Sequence, residues 1–272
     1  MAARQPTASA PSEADKIIAH HARALKAPRI SSEFHRLAEQ GRDAGWSLED
    51  YLAAVLAAES NARAESGARL RIKGAGFPAI KTVTDFDFTS QPGVDRAQIA
   101  RLEGGGWLAE ARNVVLLGPP GTGKTHLATA LGIAAAHTGH RVAFASATGW
   151  ITRLAHAHRL GRLDSELKKI SRIGLIVIDE VGYIPFDTDA ANLFFQLVSS
   201  RYEKSSIVLT SNLPFARWGD VFGEATIASA MIDRIVHHAD VIALKGTSYR
   251  IKHTAIESLP SVTADREADS TT

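Results

Sequence analysis

Gly118-Pro119-Pro120-Gly121-Thr122-Gly123-Lys124-Thr125 fits the phosphate-binding pattern G-x-x-x-x-G-K-[ST] at every fixed position. The apolar run Val114-Val115-Leu116-Leu117 before it predicts a buried strand, and the alanine-rich run from His126 to Ala136 predicts a helix after it. The loop requires that setting. Between a strand end and a helix start, successive backbone N–H groups and the positive end of the helix dipole converge on an anion. Gly121 and Gly123 permit backbone angles and a close approach that a side chain forbids. In this pattern Lys124 reaches the β- and γ-phosphates of a nucleoside triphosphate, and the Thr125 hydroxyl ligates magnesium. A nucleoside triphosphate with Mg2+ is the expected ligand pair, held by the eight loop residues with His126 beside them.

A second phosphate-chemistry signal is Leu175-Ile176-Val177-Ile178-Asp179-Glu180. An apolar strand there delivers two adjacent carboxylates to its C-terminal end, where ligands bind in open parallel sheets. Asp179 is the candidate magnesium ligand, and Glu180 the candidate base that polarises the attacking water. The plainer alternative is that both acids open the turn Gly182-Tyr183-Ile184-Pro185. The run Ile207-Val208-Leu209-Thr210 ends in Ser211-Asn212, where an amide either positions a lytic water or forms a turn. Met231-Ile232-Asp233-Arg234-Ile235 places an arginine on an otherwise apolar helix. Arg234 either completes a neighbouring subunit's site, stabilising charge on a transferring phosphoryl group, or pairs with Asp233 or another acid in its own chain.

Residues 141–172 carry a basic run: Arg141, Arg153, Arg159, Arg162, Lys168, Lys169 and Arg172, against Asp164 and Glu166. Arg153, His156, Arg159 and Arg162 recur every three residues, as on one helix. Clustered cations of this kind suit phosphate-backbone contact, and they equally suit a solvated helix face. The histidines at His20-His21, His156-Ala157-His158 and His237-His238 show no convergent partners for a metal and read as surface residues.

The 272-residue chain is long enough for one sizeable domain and a smaller one. Its net charge of +2 is too small to imply a nucleic-acid partner by itself. Cysteine is absent, which excludes disulfides and thiol chemistry. No apolar run reaches membrane-spanning length and no secretory leader is visible, so a cytoplasmic protein without membrane partners is expected. Residues 1–15 and 259–272 read as disordered, 16–80 as a helical N-terminal domain with linker, and 81–258 as the main domain. Within the first, Ser47 is a candidate N-cap with Asp50 three residues on, followed by Leu48, Tyr51, Leu52, Val55 and Leu56 on one face. A basic helical stretch from Arg63 to Lys73 then ends in a linker, Gly74-Ala75-Gly76-Phe77-Pro78, with the boundary near Lys81. In the second, a helix runs through Ile99 to Trp107. Strand-like runs at Arg141–Ser146, Gly174–Asp179, Ser206–Ser211 and Val241–Leu244 alternate with helical ones at Ala190–Tyr202 and Ile227–His237. This alternation predicts an α/β fold with a parallel sheet between helices.

Together these strings resemble the IstB-like ATP-binding proteins, helpers of insertion-sequence transposases, which are relatives of the DnaC and DnaI helicase loaders within the AAA+ ATPases. The resemblance covers about residues 20–255. It rests on Phe77-Pro78-Ala79-Ile80-Lys81, Phe86-Asp87-Phe88, Gly118 through Thr125, Ile178 through Tyr183 and Phe194 through Glu203, then on Thr210 through Phe215, Asp233-Arg234 and Ser248-Tyr249-Arg250. It implies a AAA+ P-loop core with a small all-α N-terminal domain, and with ATP as the nucleotide; one departure is a reduced or absent helical lid, since too few residues separate Asn212 from the tail for a full one. It implies Lys124, Thr125, Asp179 and Glu180 in the nucleotide site, Asn212 as sensor, Arg234 as an arginine finger acting in trans, and Arg250 as a second nucleotide-sensing arginine. Arg153, Arg159, Arg162, Lys168 and Lys169 fall where related proteins insert a DNA-gripping helix. The implied activity is ATP hydrolysis by a homo-oligomer on duplex DNA that recruits a cognate transposase. The alternatives are a helicase loader, or a nucleotide-stapled DNA-binding scaffold with little turnover.

Overall fold

The five apolar runs become five parallel strands. The computed structural model describes residues 12–223 and 225–246. In chain order the elements are α1 (Glu13–Ala24), α2 (Pro28–Ala44), α3 (Leu48–Ala75), α4 (Arg96–Glu103), α5 (Gly106–Ala109), β1 (Asn113–Leu117), α6 (Lys124–His137), β2 (Val142–Ser146), α7 (Ala147–Arg159), α8 (Leu163–Ser171), β3 (Leu175–Val181), α9 (Thr188–Arg201), β4 (Ser206–Ser211), α10 (Trp218–Phe222), α11 (Ala225–Val236) and β5 (Ala239–Ala243). The chain divides into two compact units between Leu70 and Arg71.

In the second unit the sheet order is β2-β3-β4-β1-β5, every pairing parallel. The strands are apolar on both faces because both faces are covered by helices. Alternate residues enter different cores. Val114, Leu116, Leu175, Val177 and Val208 join α4 and α6 on one side. Val115, Ile176, Ile178, Ile207 and Leu209 join α7 to α11 on the other. Small residues let α6 pack closely: a Cβ on Gly132 would lie 2.8 Å from the Phe77 ring. No helix among the described residues is long and apolar enough to cross a membrane.

The unit boundary falls before the expected linker near Lys81. Ile72, Ala75, Phe77, Val83 and Phe86 pack into the core of the second unit, so Gly74–Pro78 belongs to that unit. The helix does end there, at Ala75, with Gly76 in the left-handed region. Two expected helices differ. The Ile99–Trp107 run splits into α4 and α5 around Gly105, whose φ of 77° interrupts the helix. The basic three-residue repeat breaks after Arg159: Gly161 turns left-handed, and Arg162 becomes the residue preceding α8.

In the first unit, Ser47 and Asp50 form the expected capping box, with the Asp50 N–H donating to the Ser47 hydroxyl and the Ser47 N–H to the Asp50 carboxylate. The expected single apolar face divides. Tyr51, Val55 and Ala58 pack on Phe34 and Leu37, whereas Leu48, Leu52 and Leu56 are exposed.

Arg201, at the end of α9, is 1% exposed and faces carbonyls rather than a carboxylate. Its guanidinium donates to Ile170 O at 3.0 Å, Ile173 O at 2.9 Å, Gly174 O at 3.3 Å and Ser206 O at 2.9 Å. One cation thus ties the C-terminal end of α8 to the starts of β3 and β4, where carbonyl dipoles favour positive charge. Burial pulls its pKa down to about 10, still far above neutrality. The variant R201A orphans these carbonyls and opens a cavity, so it should lower unfolding free energy by roughly 3–5 kcal/mol. Denaturant titration checks this, and a loss below about 1 kcal/mol would contradict the stapling role.

Candidate nucleotide site

The loop after β1 is shaped by three left-handed glycines, Gly118, Gly121 and Gly123. A Cβ on Gly118 would overlap the Leu244 carbonyl oxygen, and one on Gly123 would lie 2.6 Å from the Phe86 ring. Only glycine therefore allows β5 and the Phe86 segment to close on the loop. The turn is braced internally: the Thr122 hydroxyl and Lys124 Nζ donate to Pro119 O at 2.8 and 2.7 Å. Gly123 directly precedes α6, so the loop N–H groups and the helix start face one space.

That space is a cavity of about 400 Å³. One wall is Gly121 to His126. The facing wall is Pro78 to Gln91, and Glu180, Tyr183 and Thr210 close one end. No local sequence pattern marks this wall as part of the site, and Phe86-Asp87-Phe88 carries only the family resemblance. It is latched to the loop by Phe86, edge-on to His126 at 5.4 Å, and by His126 Nε2, 2.9 Å from Thr82 O. Asp87 fixes its local turn: Ser90 and Thr89 donate to its carboxylate and hold its pKa at about 2.

Asp179 is buried at the end of β3, and its Oδ1 accepts from the Thr125 hydroxyl at 3.1 Å and from the Thr210 hydroxyl at 2.5 Å. Glu180 is exposed, lines the cavity and has a left-handed backbone with φ of 63°. Its N–H donates to the Thr210 hydroxyl at 2.9 Å. Thr210 is a site residue that the sequence did not single out.

Other expected residues lie outside the cavity wall. Asn212 follows β4, with its Oδ1 buried and without a partner among the described residues; a Cβ on Gly182 would sit 3.2 Å from it. Arg234 has no acid partner among the described residues: its guanidinium lies over the Phe195 ring at 4.5 Å and reaches Ala230 O at 3.5 Å. The alternative, an intrachain pair with Asp233, is therefore not formed among the described residues. Arg250 lies outside the described residues. In the basic run, Glu166 pairs with Arg153 at 2.6 Å and Lys169 at 3.2 Å, which holds its carboxyl below the usual range. Arg159, Arg162 and Lys168 are exposed and make no ion pair among the described residues. His237 and His238, expected to stand alone, do meet a partner: exposed Glu203 brings the three ligand atoms within 4.8 Å of one another.

A glycine loop between β1 and α6, acids near the end of β3 and a parallel sheet ordered β2-β3-β4-β1-β5 make up the core of a P-loop nucleotide-binding fold. Residues 20–256 match the IstB-like ATP binding protein family, and the chain belongs to it. It is 42% identical over 228 residues to an insertion sequence IS21 ATP-binding protein of Pseudomonas aeruginosa, covering 84% of this chain and 86% of that one. It is 34% identical over 233 residues to the insertion sequence IS5376 ATP-binding protein of Geobacillus stearothermophilus, covering 86% and 93%. Among solved structures, the DnaC helicase loader aligns with a TM-score of 0.50 at 24% identity, over 64% of this chain and 99% of that one. AMPPCP-bound DnaA from Aquifex aeolicus aligns with a TM-score of 0.51 at 20% identity, over 65% and 54%. These structural likenesses concern the fold alone.

The tightness of the loop yields a test. The variant G123A places a methyl against Phe86 on a backbone that disfavours it, and should raise the Kd for ATP at least about tenfold, or about 1.4 kcal/mol. Titration calorimetry reads this directly; unchanged affinity would mean that the loop is not the triphosphate cradle.

Proposed function

We propose that this protein is an ATP-dependent DNA-transposition helper: it binds ATP and duplex DNA, assembles as a homo-oligomer on DNA, recruits and stimulates a partner transposase, and hydrolyses ATP. The observation that carries the hydrolytic part is the placement of Glu180. It is an exposed carboxylate at the end of the cavity that the phosphate loop opens into.

The residues fit a magnesium nucleotide, since the Thr125 hydroxyl and Asp179 carboxylate already meet as a pair of hard oxygen donors. When bound there, Mg2+ would neutralise charge on the β- and γ-phosphate oxygens. Lys124 and the loop N–H groups bind the triphosphate and orient it. Glu180 accepts a proton from water, the water oxygen bonds to the γ-phosphorus, and the bond from that phosphorus to the β,γ-bridging oxygen breaks, leaving ADP and phosphate. Asn212 orients the water. Arg234 has no acid partner among the described residues and enters the neighbouring subunit's site. Assembly and ATP affinity are then coupled, because each subunit completes the next one's site.

Duplex DNA is gripped by the α7–α8 hairpin, where Arg159, Arg162 and Lys168 remain available to phosphates while Glu166 occupies Arg153 and Lys169. Its relatives' names place them in insertion sequences, which supports a transposase as partner.

One paired experiment tests both halves. E180Q should lower turnover by at least about a hundredfold while keeping ATP-dependent DNA binding. Changing Arg159, Arg162 and Lys168 together to Ala should weaken duplex binding roughly ten- to a hundredfold near 0.1 M salt, with a shallower salt dependence. Loss of both properties in E180Q would contradict the assigned roles.

A further inference from the structure

Asp179 and Glu180 are adjacent on a strand, and adjacent strand residues face opposite sides of a sheet. A regular β3 would send Glu180 along the face of Ile176 and Ile178, into the apolar core beneath α7 and α9. It does not go there. The register with β4 runs Ile178↔Leu209 and then Val181↔Ser211, so two residues of β3 stand opposite the single residue Thr210. This is a β-bulge, which breaks the alternation and re-aims a side chain. Val181 takes the core position, fully buried, and Glu180 turns to the cavity. At the bulge Glu180 has a φ of 63°, a left-handed conformation that is unfavourable for a non-glycine residue.

One hydroxyl spans the bulge. Thr210 Oγ1 accepts the Glu180 N–H and donates its only proton to Asp179 Oδ1. The N–H that the bulge withdraws from the sheet ladder is thereby satisfied, and the same group fixes the carboxylate that also holds the Thr125 hydroxyl. Resting on the hydrolytic reading above, we infer that Thr210 is a positioning residue for ATP cleavage: its hydroxyl holds the β3 bulge that aims Glu180 into the cavity, and it orients Asp179. It acts through those two carboxylates and need not touch the triphosphate.

The test compares T210V, T210S and E180Q with the wild-type protein by steady-state ATP turnover, ATP titration and hydrogen exchange of the β3 peptide. Val keeps the shape of Thr and removes both hydrogen bonds. T210V should lower kcat roughly ten- to a hundredfold, the scale of a misplaced catalytic group, with KM for ATP changed by less than about threefold. Exchange across residues 176–183 should rise as the Glu180 N–H loses its acceptor. T210S keeps the hydroxyl and should return kcat to within about threefold of wild type. Wild-type turnover in T210V with E180Q inactive would overturn the inference and leave the hydrolytic reading intact. Equal losses in T210V and T210S, with KM and melting temperature moving together, would overturn it by showing that Thr210 is only packing. A wild-type protein without turnover would overturn the hydrolytic reading, and this inference with it.

Discussion

A single carboxylate oxygen, Asp179 Oδ1, joins the three segments on which the site depends. The Thr125 hydroxyl reaches it from the first turn of α6, the Thr210 hydroxyl from β4, and the oxygen itself ends β3. Asp179 is 5% exposed, so these contacts form away from bulk water, where an unpaired carboxylate would be costly. Parallel pairing makes the meeting possible, because it puts the C-terminal ends of β1, β3 and β4 at one edge of the sheet. The phosphate loop, the acid pair and Thr210 are consequences of that one edge.

The opposite edge carries its own polar device. Arg201 gathers carbonyls from the end of α8 and the starts of β3 and β4, so the central strands are held by a buried cation at one end and by Asp179 at the other. Between these two points the strands are wholly apolar and buried, and contribute packing without specificity of direction. The polar groups at the ends fix the register, and register decides where Glu180 points.

Much of this was legible in the residues. The phosphate loop is a local pattern whose meaning lies in a few consecutive backbone angles, and all five strands follow from short apolar runs. What escaped notice was non-local. Thr210 is an ordinary strand threonine until the bulge places two β3 residues against it. Arg201 ends a helical run with no charge partner in its own pattern, and its carbonyl partners are 5 to 31 positions away. Gly74 to Pro78 reads as linker because it ends a helix, yet Phe77 is drawn into the core against α6, as Phe86 is against a loop glycine. Leu48, Leu52 and Leu56 share a helical stripe with buried residues, and periodicity alone could not tell which edge of that stripe is covered.

The most direct test of the account is ATP turnover by the full chain with and without duplex DNA, followed in parallel by light scattering in the presence of ATP. The account predicts turnover stimulated by duplex DNA together with growth from monomer to a large oligomer. A protein that stays monomeric and hydrolyses no ATP in the presence of duplex DNA would contradict it. A response confined to single-stranded DNA or to a replicative helicase would keep the nucleotide site and overturn the transposition role.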